Sequence, residues 1–346
     1  MKRLLSIVLA LVLLLSGCDL PSMDAELSAE GLEVHYIDVG QADSIFINCE
    51  GETMLIDGGN VADSQLVVSY LKSQGVETLQ YVVNTHAHED HVGGLAGVLA
   101  AFQAERVWCP VTTYESSCFE DFLTYTTRQG LALTCPDPGT VWSLGSAEIT
   151  ILAPVADYDE PNDTSIVLRL DYGESSFLFT GDAEQAAEAD ILEEGYDLDV
   201  DVLKAGHHGS DTSSGYQFLR EVSPEAVVIS VGADNSYGHP GEDALSRFRD
   251  VGAVVYRTDL QGTVIAHSDG ETISFTTERS AAVTNPTEYD GSGQESGNTL
   301  WIGNVKSKKF HLPTCSSLPD PENQIEFSSY DEAIAAGYDP CSRCIS

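Results

Sequence analysis

The stretch Thr85-His86-Ala87-His88-Glu89-Asp90-His91 decides how this chain is read. It follows an apolar, β-rich run at 79–84 and leads through Gly93-Gly94 into a helical pattern at 93–102. His86, His88, Asp90 and His91 put four potential ligands on one strand-to-helix loop, close enough to converge on two adjacent ions. Imidazole suits zinc, and a carboxylate adds charge compensation. A merely solvated loop has no reason to collect this set, so a metal site is expected.

Outward from the motif, strands are expected at 32–39, 44–49 and 53–56, followed by a helix at 61–73. Beyond it, strands are expected at 148–152, 165–170, 176–179, 200–204, 226–231, 254–257, 262–267 and 272–276. Helices fall between some of these, at 183–193 and 242–249. Two strand sets with interspersed helices predict an α/β fold of two packed sheets with helices outside. The segment 109–135 reads as an insertion.

The HxHxDH pattern resembles that of the metallo-β-lactamase superfamily. Further words stand in the order of one branch: Tyr36-Ile37-Asp38-Val39-Gly40-Gln41-Ala42-Asp43-Ser44, Leu55-Ile56-Asp57-Gly58-Gly59, Asn162-Asp163-Thr164-Ser165, Leu178-Phe179-Thr180-Gly181-Asp182, Leu203-Lys204-Ala205-Gly206-His207-His208-Gly209-Ser210 and Gly238-His239-Pro240. Together they resemble the C-terminal hydrolase domain of the ComEC-type DNA-uptake (competence) proteins, over about residues 32–278. The resemblance implies an αββα sandwich with two divalent metals, zinc or manganese. His86 and His88 would hold the first, Asp90 and His91 the second, and Asp182 would bridge them. One of His207 and His208 would complete the second site. His208 is favoured because it stands two before a serine, as the family's last ligand commonly does, and His207 then faces substrate. Asp57 is read as an acceptor that orients a metal-bound histidine.

Many superfamily members place a third histidine on the first metal. Here that place holds Asn162-Asp163, so Asn162, Asp163 or water would substitute, and metal identity stays open. His239 is placed at the site rim, to protonate a leaving group or hold a phosphate oxygen. The implied chemistry is hydrolysis of a phosphodiester, DNA above all, with Asp90 and Asp182 positioning the nucleophile and His207 or His239 supplying protons. A phosphorylcholine-esterase-like hydrolase of cell-wall phosphoesters is the alternative. A DNA- or wall-binding lipoprotein with a secondary hydrolase site is a reading of another class.

Composition constrains these readings. Lys and Arg total 16 against 55 Asp and Glu, a formal net charge of −39. That excludes attraction of nucleic acid by a general basic field. A polyanion must be drawn in by the metals and a small basic patch. A hydrophobic share of 42% excludes a disordered chain.

Lys2 and Arg3, the apolar run at 4–15 and Leu15-Ser16-Gly17-Cys18 read as a lipoprotein signal peptide and lipobox over 1–18, with Cys18 lipidated. A tether at 19–31 follows. The expected location is the outer face of a bacterial membrane, where disulfides are allowed. Cys49, Cys109, Cys118 and Cys135 can pair in three ways, with one staple expected in the 109–135 region, or stay free thiols.

Residues 279–298 read as a Gly/Ser-rich linker, and 299–346 as a separate block. His311, Cys315, Cys341 and Cys344 have the H-x3-C…C-x2-C spacing of a tetrahedral structural zinc. With Trp301-Ile302-Gly303-Asn304 and Gly337-Tyr338-Asp339-Pro340-Cys341, the block resembles the metal-binding domain of the Ada DNA-repair proteins. That family uses four cysteines, and His311 takes the first place here, so repair activity is not carried over. Lys306, Lys308 and Lys309 form a basic cluster for contact with nucleic acid or wall phosphate. A monomer is expected.

Overall fold

The computed structural model describes residues 27–281, 301–311, 315, 318–319, 321–327, 333–334 and 336–341. The export segment with Cys18, most of the linker, and Cys344 lie outside them.

The strands in chain order are β1 (Leu32–Tyr36), β2 (Ile45–Cys49), β3 (Glu52–Ile56), β4 (Thr78–Val83), β5 (Gln103–Trp108), β6 (Leu133–Thr134), β7 (Val141–Leu144), β8 (Ala147–Ala153), β9 (Val167–Tyr172), β10 (Ser175–Phe179), β11 (Val202–Lys204), β12 (Ala226–Ile229), β13 (Val254–Arg257), β14 (Val264–Ser268), β15 (Ile273–Thr277), β16 (Trp301–Asn304), β17 (Lys309–His311), β18 (Gln324–Phe327) and β19 (Asp339–Pro340). The α-helices are α1 (Ser64–Ser73), α2 (Glu89–Val92), α3 (Leu95–Ala101), α4 (Ser117–Arg128), α5 (Gln185–Glu194), α6 (Tyr216–Val222), α7 (Glu242–Asp250) and α8 (Thr258–Gln261).

One sheet has the order β15-β14-β1-β2-β3-β4-β5-β6, and the other β13-β12-β11-β10-β9-β8-β7. The period of two residues along each strand sorts side chains between layers. Ile45, Ile47, Met54 and Ile56 point into the space between the sheets, where they meet Phe177, Phe179, Leu168 and Val228. Their neighbours Phe46 and Leu55 point outward, onto Val67 and Leu71 of α1, Leu95 and Val98 of α3, and Phe119 and Phe122 of α4. On the other sheet Leu178, Leu203 and Val227 face Ile191 of α5, Leu219 of α6 and Phe248 of α7. Each of these large side chains contributes about 1.5–3 kcal/mol by leaving water. Strands buried on both faces therefore read as nearly continuous apolar runs. The result is the expected sandwich of two sheets between two helical layers.

The structure corrects one element. The segment read as an insertion carries α4 and β6; with the preceding β5, which had no expected strand, they extend the first sheet and cover its outer face. Helix α4 is capped by Ser116, whose hydroxyl accepts from the N–H of Phe119. Cys109 and Cys135 directly follow the paired ends of β5 and β6 but are not joined; all four body cysteines are free thiols.

The C-terminal block forms a sheet in the order β18-β16-β17-β19. Trp301, Phe310, Phe327 and Tyr338 make its core, and Trp301 also meets Tyr216 of α6 with ring centroids 5.3 Å apart. Within it, ligand atoms of His311, Cys315 and Cys341 all lie within 4.8 Å of one another. The expected fourth ligand, Cys344, is outside the described residues. Lys308 is exposed, and its ammonium lies over the Tyr338 ring, 4.4 Å from the centroid, and donates to the phenol oxygen. Lys306 and Lys309 are exposed. Among the described residues, no helix is long and apolar enough to cross a membrane.

Candidate metal centre

The 85–91 loop is positioned from β4 and from the turn after β3. A Cβ on Gly94 would lie 2.0 Å from the carbonyl oxygen of Gly58, so only glycine lets the two backbones meet. That contact brings Asp57 beneath the loop. Asp57 is fully buried and takes a left-handed φ of 60°, a strained conformation for a residue with a side chain. Its carboxylate accepts from the Thr85 N–H and hydroxyl, each at 2.7 Å, and from the Asn84 amide at 3.3 Å. Its Oδ2 also lies 2.8 Å from His91 Nδ1. With Nδ1 so engaged, His91 Nε2 faces the opposite way, toward Asp182.

Asp182 follows β10 through Gly181, whose φ is 52°. A Cβ there would press on Thr85 at 2.9 Å, so the turn can lie against the histidine loop only as glycine. Asp182 Oδ2 is surrounded by imidazole nitrogens. His91 Nε2 is 3.2 Å away, His208 Nε2 3.6 Å, and His86 Nε2 and His207 Nε2 3.9 Å each. His86 Nε2 also lies 3.0 Å from His88 Nδ1.

His207 and His208 follow β11 in left-handed conformations, φ 48° and 54°. This kink turns both side chains to line the cleft. His208 is buried; its Nδ1 lies 2.9 Å from the Ser230 carbonyl oxygen, and its Nε2 3.3 Å from Asp90 Oδ2. Ligand atoms of Asp90, His91, Asp182 and His208 fall within 4.8 Å of one another. His207 is partly exposed and its Nδ1 pairs with Glu184 at 3.0 Å.

The Asn162-Asp163 pair divides. Asp163 is turned from the cleft, and its carboxylate accepts from the Glu184 N–H at 3.0 Å. Of the two candidate substitutes, Asn162 alone lines the cleft; its amide donates to Glu184 at 3.1 Å and its buried Oδ1 has no hydrogen-bond partner. His239 also lines the cleft, with its ring centroid 5.5 Å from that of His207.

Two residues near the centre had no role assigned from sequence. Lys204 is completely buried and donates at 2.7 Å to Asp43, itself buried and 3.4 Å from His208 Nδ1. Asp43 and Lys204 are quoted in the motifs above, but nothing in either motif alone says that they meet. Glu184, the partner of His207, is the third omission; its place two residues after Asp182 was the available signal.

The electrostatics favour a cation here. Burial opposes every charge, yet His91 and Lys204 with their neighbours hold the carboxylates ionised. Asp90 is brought down to about 2, against its burial, chiefly by His91. Asp182 lies well below the carboxylate range despite burial, through His91 and His208. Burial would lower His208, but Asp182 and Asp43 raise it to about 10. Without another cation, protons on imidazoles carry the compensating charge. The buried Nε2 atoms of His91 and His208 and Oδ1 of Asp182 have no hydrogen-bond partner, and buried polar atoms seldom go unsatisfied. Converging orphan donors, nitrogen and carboxylate together, fit a divalent metal that would displace those protons.

Comparison with known proteins bears on the family. Residues 37–233 match the family model of the metallo-beta-lactamase superfamily, and residues 292–345 that of the metal binding domain of Ada. The ComE operon protein 3 of Bacillus subtilis is 30% identical over 257 residues, covering 69% of this chain and 33% of that protein. Competence protein ComA of Neisseria gonorrhoeae is 32% identical over 237 residues, covering 66% of this chain and 31% of its own length. The chain thus spans about a third of the length of these curated relatives. Among solved structures, the metallo-beta-lactamase fold protein YhfI from Bacillus subtilis is 13% identical with a TM-score of 0.47, over 71% of this chain and all of that one. By the match over more than half its length, this chain belongs to the metallo-beta-lactamase superfamily.

Proposed function

We propose that the chain is a dinuclear metal-dependent phosphodiesterase that acts on DNA outside the membrane, anchored by lipid at Cys18. The observation that carries the reading is Asp182 Oδ2 standing within 3.9 Å of four imidazole nitrogens from two separate loops. His86 and His88 would hold one ion, Asp90, His91 and His208 the other, with Asp182 shared between them. Two such ions, when bound, supply a water-derived nucleophile and neutralise phosphate oxygens. Asp57 fixes the His91 ring through Nδ1, as outer carboxylates do for metal-bound histidines. His207, held by Glu184, and His239 face the open side of the cleft, where a leaving group would need a proton. Asn162 Oδ1 is the available substitute for the superfamily's third histidine.

DNA is favoured over other phosphodiesters by the resemblance to the ComEC-type DNA-uptake (competence) proteins. The C-terminal block would hold one structural zinc through His311, Cys315, Cys341 and Cys344. The competing reading, a phosphorylcholine-esterase-like hydrolase, draws on the net charge of −39.

The test is to load the purified chain with zinc or manganese and offer single- and double-stranded DNA, a phosphocholine ester and a β-lactam in parallel. Cleavage of DNA, abolished in Asp90→Ala and His91→Ala, is expected. Intact DNA beside a cleaved phosphocholine ester would establish the competing reading instead.

A further inference from the structure

The rim of the metal cleft carries a feature that metal chemistry does not require. Tyr237 is 72% exposed, and among the described residues it is the one aromatic side chain in the set of exposed large hydrophobics. A tyrosine ring presents a flat apolar face with a polar tip, which suits it to a wet binding surface. Tyr237 lines the same cavity of about 340 Å³ as His88, Asp90, Asp182 and His208. Its ring lies nearly parallel to that of His239, at 13° with centroids 5.9 Å apart, and His239 meets His207 edge-on. The stack therefore leads from solvent to the imidazole beside Asp182.

This lip is held in place by one side chain. Asn235 Oδ1 accepts from the N–H groups of Tyr237 and His239, both at 3.1 Å. Its amide donates to the carbonyl oxygens of Gly232 at 3.0 Å and His239 at 2.6 Å. All the hydrogen-bonding capacity of Asn235 thus goes into the turn that presents Tyr237. Such a platform loses little entropy when a flat ligand settles on it.

No Lys or Arg lines the cavity. With no basic groove, affinity for a phosphodiester must come from the metals and from contacts to the rest of the substrate. Stacking of a base on an aromatic ring is indifferent to the surrounding negative charge and tolerant of sequence. Tyr237 and His239, being parallel, offer one open face. A quaternary ammonium would instead be enclosed by several rings. In a duplex that base face is already occupied by neighbouring pairs and is freed only at a cost.

The geometry points to Tyr237 as a nucleobase-stacking platform beside the scissile phosphate, which makes an unpaired nucleotide the preferred substrate. This inference rests on the phosphodiesterase reading but can fail separately from it.

Two measurements on the metal-loaded full chain test it. The first compares thymidine 5′-(p-nitrophenyl phosphate) with methyl p-nitrophenyl phosphate, which share the scissile group but not the base. Tyr237→Ala is expected to raise KM for the thymidine ester about tenfold more than for the methyl ester, and Tyr237→Trp to restore it. The second uses Tyr237→Trp as a fluorescent probe, with emission compared against wild type. Oligothymidylate should quench it at concentrations about tenfold below those needed with a hairpin duplex.

Equal KM changes for both esters, or quenching by phosphocholine and not by oligothymidylate, would overturn the platform. Hydrolysis of both esters without any dependence on Tyr237 would sink the platform and leave the phosphodiesterase reading standing. Quenching by oligothymidylate without hydrolysis of any phosphodiester would do the reverse.

Discussion

Lys204 is the residue on which the buried charges of the centre depend. It is the ammonium partner of Asp43, and both are inaccessible to water. A buried pair adds little net stability, but removing one partner leaves an uncompensated charge. Lys204→Met is expected to cost about 3–5 kcal/mol in urea unfolding with chelator present. The double variant Lys204→Met/Asp43→Asn should recover much of that loss. Full additivity of the two single changes would mean that the pair is not coupled. The pair also marks where sequence reading stopped. His86, His88, Asp90, His91 and Asp182 were legible because a cluster on one loop and an aspartate after an apolar strand advertise themselves. Asp43, in the loop before β2 of one sheet, and Lys204, at the end of β11 of the other, meet only once the sandwich closes. His207 and His208 were legible as a pair, but their separate surroundings follow from two left-handed backbones in succession.

At the scale of elements, the loop after His208 is clamped between two helices. Arg247 of α7 donates to the carbonyl oxygens of Ser214 at 2.7 Å, Ser213 at 2.8 Å and Asp211 at 3.0 Å. Glu188 of α5 accepts from the Gly215 N–H at 2.8 Å and from that of Ser214. Burial pushes the Glu188 carboxyl up to about 7, against those N–H donors and Arg247. A carboxyl that is harder to ionise in the folded chain than in the unfolded one stabilises the fold below the ordinary carboxylate range. That contribution is lost as pH rises through about 7. The melting temperature should therefore carry a component that falls between about pH 5 and 7, and Glu188→Gln should flatten it even while lowering Tm overall. A melting profile of unchanged slope in that variant would assign the component elsewhere. Elements were read best where a short apolar run was continuous, as at the ends of β3 and β10. Strand β5 was missed because Gln103, Glu105 and Arg106 are exposed and conceal the pattern. Helix α4 was missed because its segment was read as an excursion, although Ser116 and the apolar spacing of Phe119 and Phe122 announce a capped amphipathic helix.

For the whole molecule, the acidity recedes as an argument against a polyanionic substrate and becomes a constraint on how one is held. Residues 299–346 carry six acids and four bases, so nearly all of the −39 lies on the rest of the chain. The cleft lining holds four histidines but no Lys or Arg. Positive charge beyond the imidazole protons would arrive as metal, and the ring of nitrogens around Asp182 is where it would sit. The most direct measurement is metal content together with phosphodiester turnover, in wild type and in Asp182→Ala. The account predicts three ions per wild-type chain, two in the cleft and one in the C-terminal block, with turnover. It predicts fewer ions and no turnover in Asp182→Ala. Phosphodiester cleavage that survives Asp182→Ala, or two cleft ions bound with no phosphodiester cleaved, would contradict it.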